Sequence, residues 1–353
     1  MLSYVLQQFI QQQYQIDEEE IVFEEPLTFP ARTRSTRPYL SPILQGMSIN
    51  PKAWMLNWTC VNDIKFGSDE DYFHGTKQSK PSGEKFIFKG ERMCDKRSPF
   101  LLVAVPSLPG NRETRDLIRR TWGSVSRTQS WPIRIVNAEV KVIFLLGRYS
   151  TDKEYLEVQR ESQAHQDIVM GDFVDSYRNL SRKILASLAW MHEFCPGTHY
   201  ILKCDEDTFV NIPLLVDFLL IHEPMFNYSV IGYVYGKSRV LRSGKWKVDT
   251  NAYPMNVYPI YVSGNAYVIS RDLALRILHA SWRLPYISVE DAYITGILTR
   301  AAGGRHVHSK LFTRLMDKRP KPCDFLGDKK LANTGASRIY TDAIWAAYTN
   351  NKC

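Results

Sequence analysis

The chain has 353 residues, 44% hydrophobic and 12% aromatic, enough to bury one large core in one or two domains. Its formal net charge of +8 comes from basic residues spread along the sequence, with no RRM, KH or zinc-finger pattern beside them, which argues against a nucleic-acid partner. Six cysteines without a C-x-x-C pair disfavour structural zinc and leave disulfides open.

Met1 to Glu20 is rich in Gln and Glu and has neither the apolar core of a signal peptide nor a membrane span of about 20 residues. Residues 1–96 lack sustained periodicity. Pro26, Pro30, Pro38, Pro42 and Pro51 punctuate polar stretches, and Gly67 to Gly90 is rich in Gly, Lys and Ser, so this region reads as a stem or linker. Trp54, Trp58 and Cys60 stand out from it as a small element that can pack onto the rest. Asn57, Asn179 and Asn227 begin Asn-x-Ser/Thr triplets, which permit glycosylation but also arise by chance.

Residues 97–353 read as one folded domain. Phe100 to Val105 is a buried-strand run, and Asn111 to Trp122 a helix opening after Pro109-Gly110. Val140 to Leu146 is the next strand, Asp152 to His165 and Leu180 to Phe194 are helices, Tyr200 to Lys203 is a strand and Ile212 to Ile221 a helix. Strands alternating with helices imply an α/β architecture: a mainly parallel twisted sheet with helices on both faces.

The strand at Tyr200 leads into Asp205-Glu206-Asp207. Side chains at i and i+2 share one face of a strand, so Asp205 and Asp207 can converge on a hard divalent cation, which takes oxygen ligands and keeps positions open for phosphate and water. The plain alternative is an acidic turn with solvated charges. An EF-hand is disfavoured because Phe209 and Val210 occupy its fifth-ligand and glycine positions. Arg115 and Arg119, four apart on one helix face, suit an anionic nucleotide or are surface arginines. Lys203 reads equally as a donor contact or a solvated strand-end charge. Ser263-Gly264 allows a close backbone approach, Glu290-Asp291 is a helix start or a catalytic carboxylate pair, and His306 and His308 read as half-buried strand residues.

Arg115 to Gly123, Val142 to Gly147, Asp172 to Lys183, Cys195-Pro196, Asp205 to Asp207, Tyr258 to Gly264 and Glu290 to Gly296 follow one another in an order that resembles the β-1,3-galactosyltransferase family. These are inverting, nucleotide-sugar-dependent enzymes, and the resemblance spans most of residues 98–312. It implies the GT-A glycosyltransferase fold for residues 97–353, and Mn²⁺ held by Asp205 and Asp207. It implies UDP-galactose as donor, with Arg115, Arg119, Asp172, Lys203, Asp205, Glu206, Ser263 and Gly264 around it. Asp291 becomes the general base, with Glu290 structural or acceptor-binding. By residue type Asp172 and Asp175 either contact uridine or ribose or cap the helix starting near Asn179, with capping favoured for Asp175. The resemblance further implies a glycan acceptor on a glycoprotein or glycolipid, homo- or hetero-oligomers with other glycosyltransferases, and the Golgi lumen with a type II membrane anchor. The chain departs from the pattern at Glu206, where Asp is usual, at Val262, where cysteine is common, and at Asn265-Ala266, which replaces a small Gly-rich pair.

UDP-N-acetylglucosamine is the rival donor within this class. From another class, a catalytically silent folding partner of glycosyltransferases would have lost its metal carboxylates, whereas Asp205, Asp207 and Asp291 are all present. The segment Tyr233 to Tyr253, with Gly236, Gly244 and clustered basic residues, reads as a mobile loop able to close over bound donor.

Overall fold

The computed structural model describes residues 47–61, 70–74, 85–95, 97–149, 151–236, 238–314 and 317–353. The expectations for Met1 to Glu20, and for most of residues 1–96, fall outside these.

A nine-stranded sheet organises the chain. Its strands are β1 (Thr59–Val61), β2 (Phe86–Phe88), β3 (Leu101–Pro106), β4 (Val140–Arg148), β5 (Ile168–Val174), β6 (Tyr200–Cys204), β8 (Ser229–Tyr235), β9 (Tyr261–Ser270) and β10 (Arg305–His308). Two short strands, β7 (Phe209–Val210) and β11 (Ala332–Asn333), pair separately. The helices of eight residues or more are α1 (Arg112–Arg120), α2 (Asp152–His165), α3 (Leu180–Phe194), α4 (Ile212–His222), α5 (Arg271–Ser281) and α6 (Arg338–Thr349). The order across the sheet is β1-β10-β8-β9-β6-β3-β4-β5-β2, with β6, β3, β4 and β5 parallel and β9 antiparallel to both neighbours.

The central strands are apolar on both faces because both faces are covered. Leu101, Val103 and Val105 of β3 enter one core cluster, packed beneath α4, while Leu102 and Ala104 enter the other, beneath α3 and α5. Every residue of α4 is buried, including Asp217, which accepts hydrogen bonds from the Asn50 amide at 2.8 Å and from Asn137 at 2.6 Å.

Part of the sequence read as a stem belongs to this unit. β1 pairs with β10 at one sheet edge and β2 with β5 at the other, and Trp58 packs edge-on against His222 and Phe226 at 5.5 and 5.1 Å. Strands of three residues complete sheet edges without room to display a period. Helices Asp152–His165 and Leu180–Phe194 fall where their periodicity puts them.

Two disulfides join Cys94 to Cys195 and Cys323 to Cys353, leaving Cys60 and Cys204 as thiols among the described residues. The first fastens the segment after β2 to the end of α3 across a sequence separation of 101. Closing so long a loop restricts the unfolded chain by roughly 4.7 kcal/mol in the chain-entropy account. The double variant Cys94→Ser/Cys195→Ser is therefore expected to unfold at clearly lower urea than the wild type; coincident transitions would show that the bridge contributes nothing.

Candidate active site

The parallel strands deliver their C-terminal ends to one edge of the sheet, which carries Ser107 after β3, Gly147 within β4, Asp175 after β5 and Asp205 after β6. β9 runs the other way, so its Ser263-Gly264-Asn265 stretch reaches the same edge, beside the turn that follows Cys204. A crevice outside the carboxyl ends of the strands is where an open α/β sheet offers a site.

Asp205 and Asp207 lie beyond β6 in a turn rather than on the strand. The Asp205 amide donates to Asn265 O at 2.9 Å and its carbonyl accepts from the Thr208 amide at 3.0 Å, so turn geometry, not strand alternation, brings the two carboxylates near each other. Desolvation, together with the charge of Asp205, raises the Asp207 carboxyl above its ordinary pKa. The side chain of Asp205 is 37% exposed and ion-paired with Lys203 at 2.6 Å. Glu206 turns aside to accept from Asn111 at the start of α1.

Lys203 is buried near the end of β6 and holds the edge together. Its ammonium donates to Asp205 and to the Gly264 carbonyl, and lies 3.5 Å from Glu290. Burial opposes the charge, but Asp205 and Glu290 outweigh it and raise the lysine pKa, so it stays protonated. Glu290 accepts from the Tyr267 hydroxyl and is pushed up to about 7, chiefly by burial.

Asp291 caps a π-helix, Ala292–Leu298, accepting from the Ala292 amide at 2.8 Å. The wide turn is filled by Thr295, whose hydroxyl donates to Asp291 O at 2.6 Å and accepts from the Val262 amide at 2.8 Å. Such local widening recurs at functional sites, and here it seats the helix against β9. A Cβ on Gly264 would come within 3.2 Å of the Asp291 side chain, so the glycine makes room for this carboxylate. Burial raises the Asp291 pKa. Ser263 lies beside it, hydrogen-bonded by Asn265 at 3.3 Å.

The arginines do something else. Arg115 is fully buried and spends its donors within the protein: on Glu161 at 2.8 and 2.7 Å, on Ser107 at 3.0 Å, and on the carbonyls of Leu108 and Pro109 at 2.6 and 2.9 Å. Arg119 pairs with Asp167 at 2.8 Å twice, and with Asp116 and Glu161 at 2.7 Å. In this structure both guanidiniums are buried and bonded to protein acceptors, and Arg115 shapes the loop after β3. Glu161, which sequence reading passed over, is the counterion of both. Burial works against its charge, but the two guanidiniums hold its carboxyl below the usual range.

Asp175 is not a helix cap. It accepts from Lys183 at 2.8 Å with both oxygens and from the Gly147 amide at 2.7 Å, while Lys183 also donates to Ser107 O at 2.9 Å. Asp172 sits apart on β5, paired with half-exposed Arg148 at 2.8 Å. His306 and His308 are buried and lowered to about 4 by that burial; His306 Nε2 lies 2.6 Å from Thr295 O, and His308 Nδ1 accepts from the Val234 amide at 3.1 Å. The loop between β8 and β9 is pinned rather than loose: Arg242 donates to the carbonyls of Val248, Tyr253, Pro254 and Met255 at 3.1, 2.9, 3.3 and 2.6 Å.

Among the described residues no group of three or more His, Cys, Asp or Glu side chains is placed to hold a metal ion. Asp205 and Asp207 nonetheless fit a hard divalent ion, because their donors are all oxygen and the mutual strain of adjacent negative charge is what a cation relieves. Diphosphate oxygens and water complete such a shell where protein ligands are few.

Removing one partner of a buried ion pair leaves a charge without compensation and costs about 3–5 kcal/mol. Arg115→Ala is therefore expected to lower the unfolding temperature sharply; a variant as stable as the wild type would return Arg115 to a role in ligand contact. Glu290 supplies a second test. A carboxyl whose folded pKa lies above its unfolded value of 4.5 costs stability as pH rises from there towards 7, so Glu290→Gln should flatten the fall in unfolding temperature between pH 5 and 7.5. Parallel profiles for variant and wild type would show that Glu290 ionises normally.

Residues 113–310, more than half of the chain, match the family described as Galactosyltransferase. Beta-1,3-galactosyltransferase 5 of Mus musculus is 33% identical over 217 residues, covering 61% of this chain and 68% of that protein. Beta-1,3-galactosyltransferase 9 of Homo sapiens is 34% identical over 230 residues, 65% of this chain and 60% of that protein. Beta-1,3-galactosyltransferase 2 of Mus musculus is 34% identical over 270 residues, 74% of this chain and 59% of that protein. The solved apo structure of the WbbM bifunctional glycosyltransferase aligns with 68% of this chain and 46% of its own at 12% identity and a TM-score of 0.36, too loose a likeness to argue from. The chain belongs to the galactosyltransferase family of hexose-transferring enzymes.

Proposed function

We propose that the chain transfers galactose from UDP-galactose to a hydroxyl of a glycan acceptor, carried by a glycoprotein or glycolipid, forming a β-1,3 linkage with inversion. The observation that carries this reading is the meeting of Asp205 and Asp207 with the Glu290-Asp291 pair around Lys203, in a chain similar to β-1,3-galactosyltransferases.

Inversion needs a base on the face of the sugar opposite the leaving group. Asp291 suits that role. Its backbone is fixed by the π-helix, Gly264 leaves space for its carboxylate, and burial raises its proton affinity towards the working pH, which favours proton transfer. The acceptor hydroxyl gives its proton to Asp291 as its oxygen bonds to C1, and the bond from C1 to the UDP oxygen breaks. Asp205 and Asp207 would hold Mn²⁺, which when bound supplies Lewis-acid stabilisation of the departing diphosphate. Lys203 orients Asp205 through their ion pair, and Glu290 holds Lys203 in turn.

The two disulfides suit an oxidising secretory compartment, and the Golgi lumen is the proposed location. No helix among the described residues is long and apolar enough to cross a membrane.

Purified protein with Mn²⁺ is expected to release UDP from UDP-galactose in preference to UDP-N-acetylglucosamine when given sugar acceptors. Asp207→Ala and Asp291→Asn should each lower turnover by roughly 10²–10⁴-fold. Full activity in either variant would remove that carboxylate from the mechanism, and no turnover by folded wild type with any donor would favour the silent folding partner.

A further inference from the structure

Tyr177 and Trp246 form a paired aromatic surface beside the catalytic carboxylates that the transfer chemistry does not use. The indole N–H of Trp246 donates to the Tyr177 hydroxyl at 2.7 Å, so a residue of the β8–β9 loop meets one from the segment after β5. Tyr177 remains 48% exposed. Lys245 places its ammonium 4.2 Å from the Tyr177 ring centroid and 5.4 Å from that of Trp246.

The location is fixed from two sides. Ser181 Oγ donates to Ile287 O at 2.7 Å and Tyr286 donates to Arg178 O at 2.5 Å, so the Tyr177 segment is clipped to the chain just ahead of Glu290 and Asp291. The loop carrying Trp246 is held closed by Arg242 on four of its own carbonyls, and Tyr72 donates to Ala252 O at 2.8 Å. Neither partner needs ordering when a ligand arrives, which spares the entropy that a loose loop would lose.

We propose that Tyr177 and Trp246 form the platform on which the ring of the acceptor sugar rests while its hydroxyl faces Asp291; this builds on the transfer activity proposed above. A pyranose presents an apolar face of C–H groups and an edge of hydroxyls. Aromatic rings offer a matching flat apolar surface with a polar tip; the Lys245 ammonium lies over one face of the Tyr177 ring, so the sugar would rest on the opposite face and against Trp246. Exposed aromatic surface at the mouth of a cleft costs solvation unless a partner covers it. The platform belongs to the acceptor rather than the donor because the Ser181 and Tyr286 hydrogen bonds hold the Tyr177 segment to the stretch of chain that leads into Glu290 and Asp291, the base side of the site.

Two measurements test this. Steady-state kinetics with UDP-galactose should show Trp246→Ala and Tyr177→Ala raising the acceptor KM by about tenfold or more with the UDP-galactose KM unchanged, and Trp246→Phe recovering most of the loss. Thermal unfolding of each variant confirms that it is folded. Acceptor KM values within twofold of the wild type, or an equal rise in donor KM, would overturn the platform and leave the transferase reading standing. Saturation-transfer NMR with the methyl β-glycosides of galactose, N-acetylglucosamine and N-acetylgalactosamine reads binding without turnover. Transfer to ring protons in the wild type that Trp246→Ala abolishes supports the platform even if no donor turns over, an outcome in which the transferase reading alone fails. A wild type that shows no transfer to any of the three, or a Trp246→Ala variant that keeps it, overturns the platform.

Discussion

A single buried ammonium ties the cleft together. Lys203 ends β6 beneath the surface and reaches the carboxylate of Asp205 on its own strand end, the carbonyl of Gly264 on β9 and the carboxylate of Glu290 at the head of the π-helix. Three chain segments that are distant in sequence are thereby held to one point. A buried charge persists only where its partners compensate it, so the same contacts that keep Lys203 charged also fix where the acidic turn and the Glu290-Asp291 pair stand. Local rules bend around this point: a turn replaces the strand at Asp205, and a helix widens at Ala292.

A second buried network supports the neighbouring wall. Arg115 binds Glu161 and the carbonyls of the loop after β3, and Lys183 joins that loop to Asp175 at the end of β5. Both networks use long cations to satisfy backbone carbonyls at this edge of the sheet, Gly264 on β9 in one and Ser107, Leu108 and Pro109 after β3 in the other. The result is an edge whose loops are set before any ligand arrives, which is how an active site avoids reorganisation at the moment of reaction.

Much of this frame is legible in the sequence, and the limits have physical causes. Helices α2 and α3 announce themselves because more than three turns of amphipathic periodicity exceed any chance pattern. The β3, β4 and β6 strands show as apolar runs because both of their faces are covered. β1 and β2 cannot, since three residues carry no period, and the sequence reading also passes over β5, β8, β9 and helices α5 and α6. The acidic turn and the Glu290-Asp291 pair stand out as residue types, but their neighbours come from elsewhere in the chain. Arg115 is the instructive case. Its spacing from Arg119 puts both on one face of α1, yet whether that face meets a ligand or the interior depends on Glu161, 46 residues away, which no local pattern announces.

The chain beyond the family's matched segment, which ends at residue 310, wraps back onto the acidic turn. β11 pairs with β7 immediately after Asp207, the Ala336 amide donates to the Asp207 carbonyl at 2.6 Å, Tyr348 of α6 stacks on Phe209 at 6.4 Å, and Cys323–Cys353 fastens the terminal helix behind them. A transcript that lost its last coding segment would still be recognised as a galactosyltransferase by every matched residue. Its product would nonetheless lack the scaffold behind Asp207, so the matched segment carries the proposed site residues while part of their support is encoded after it.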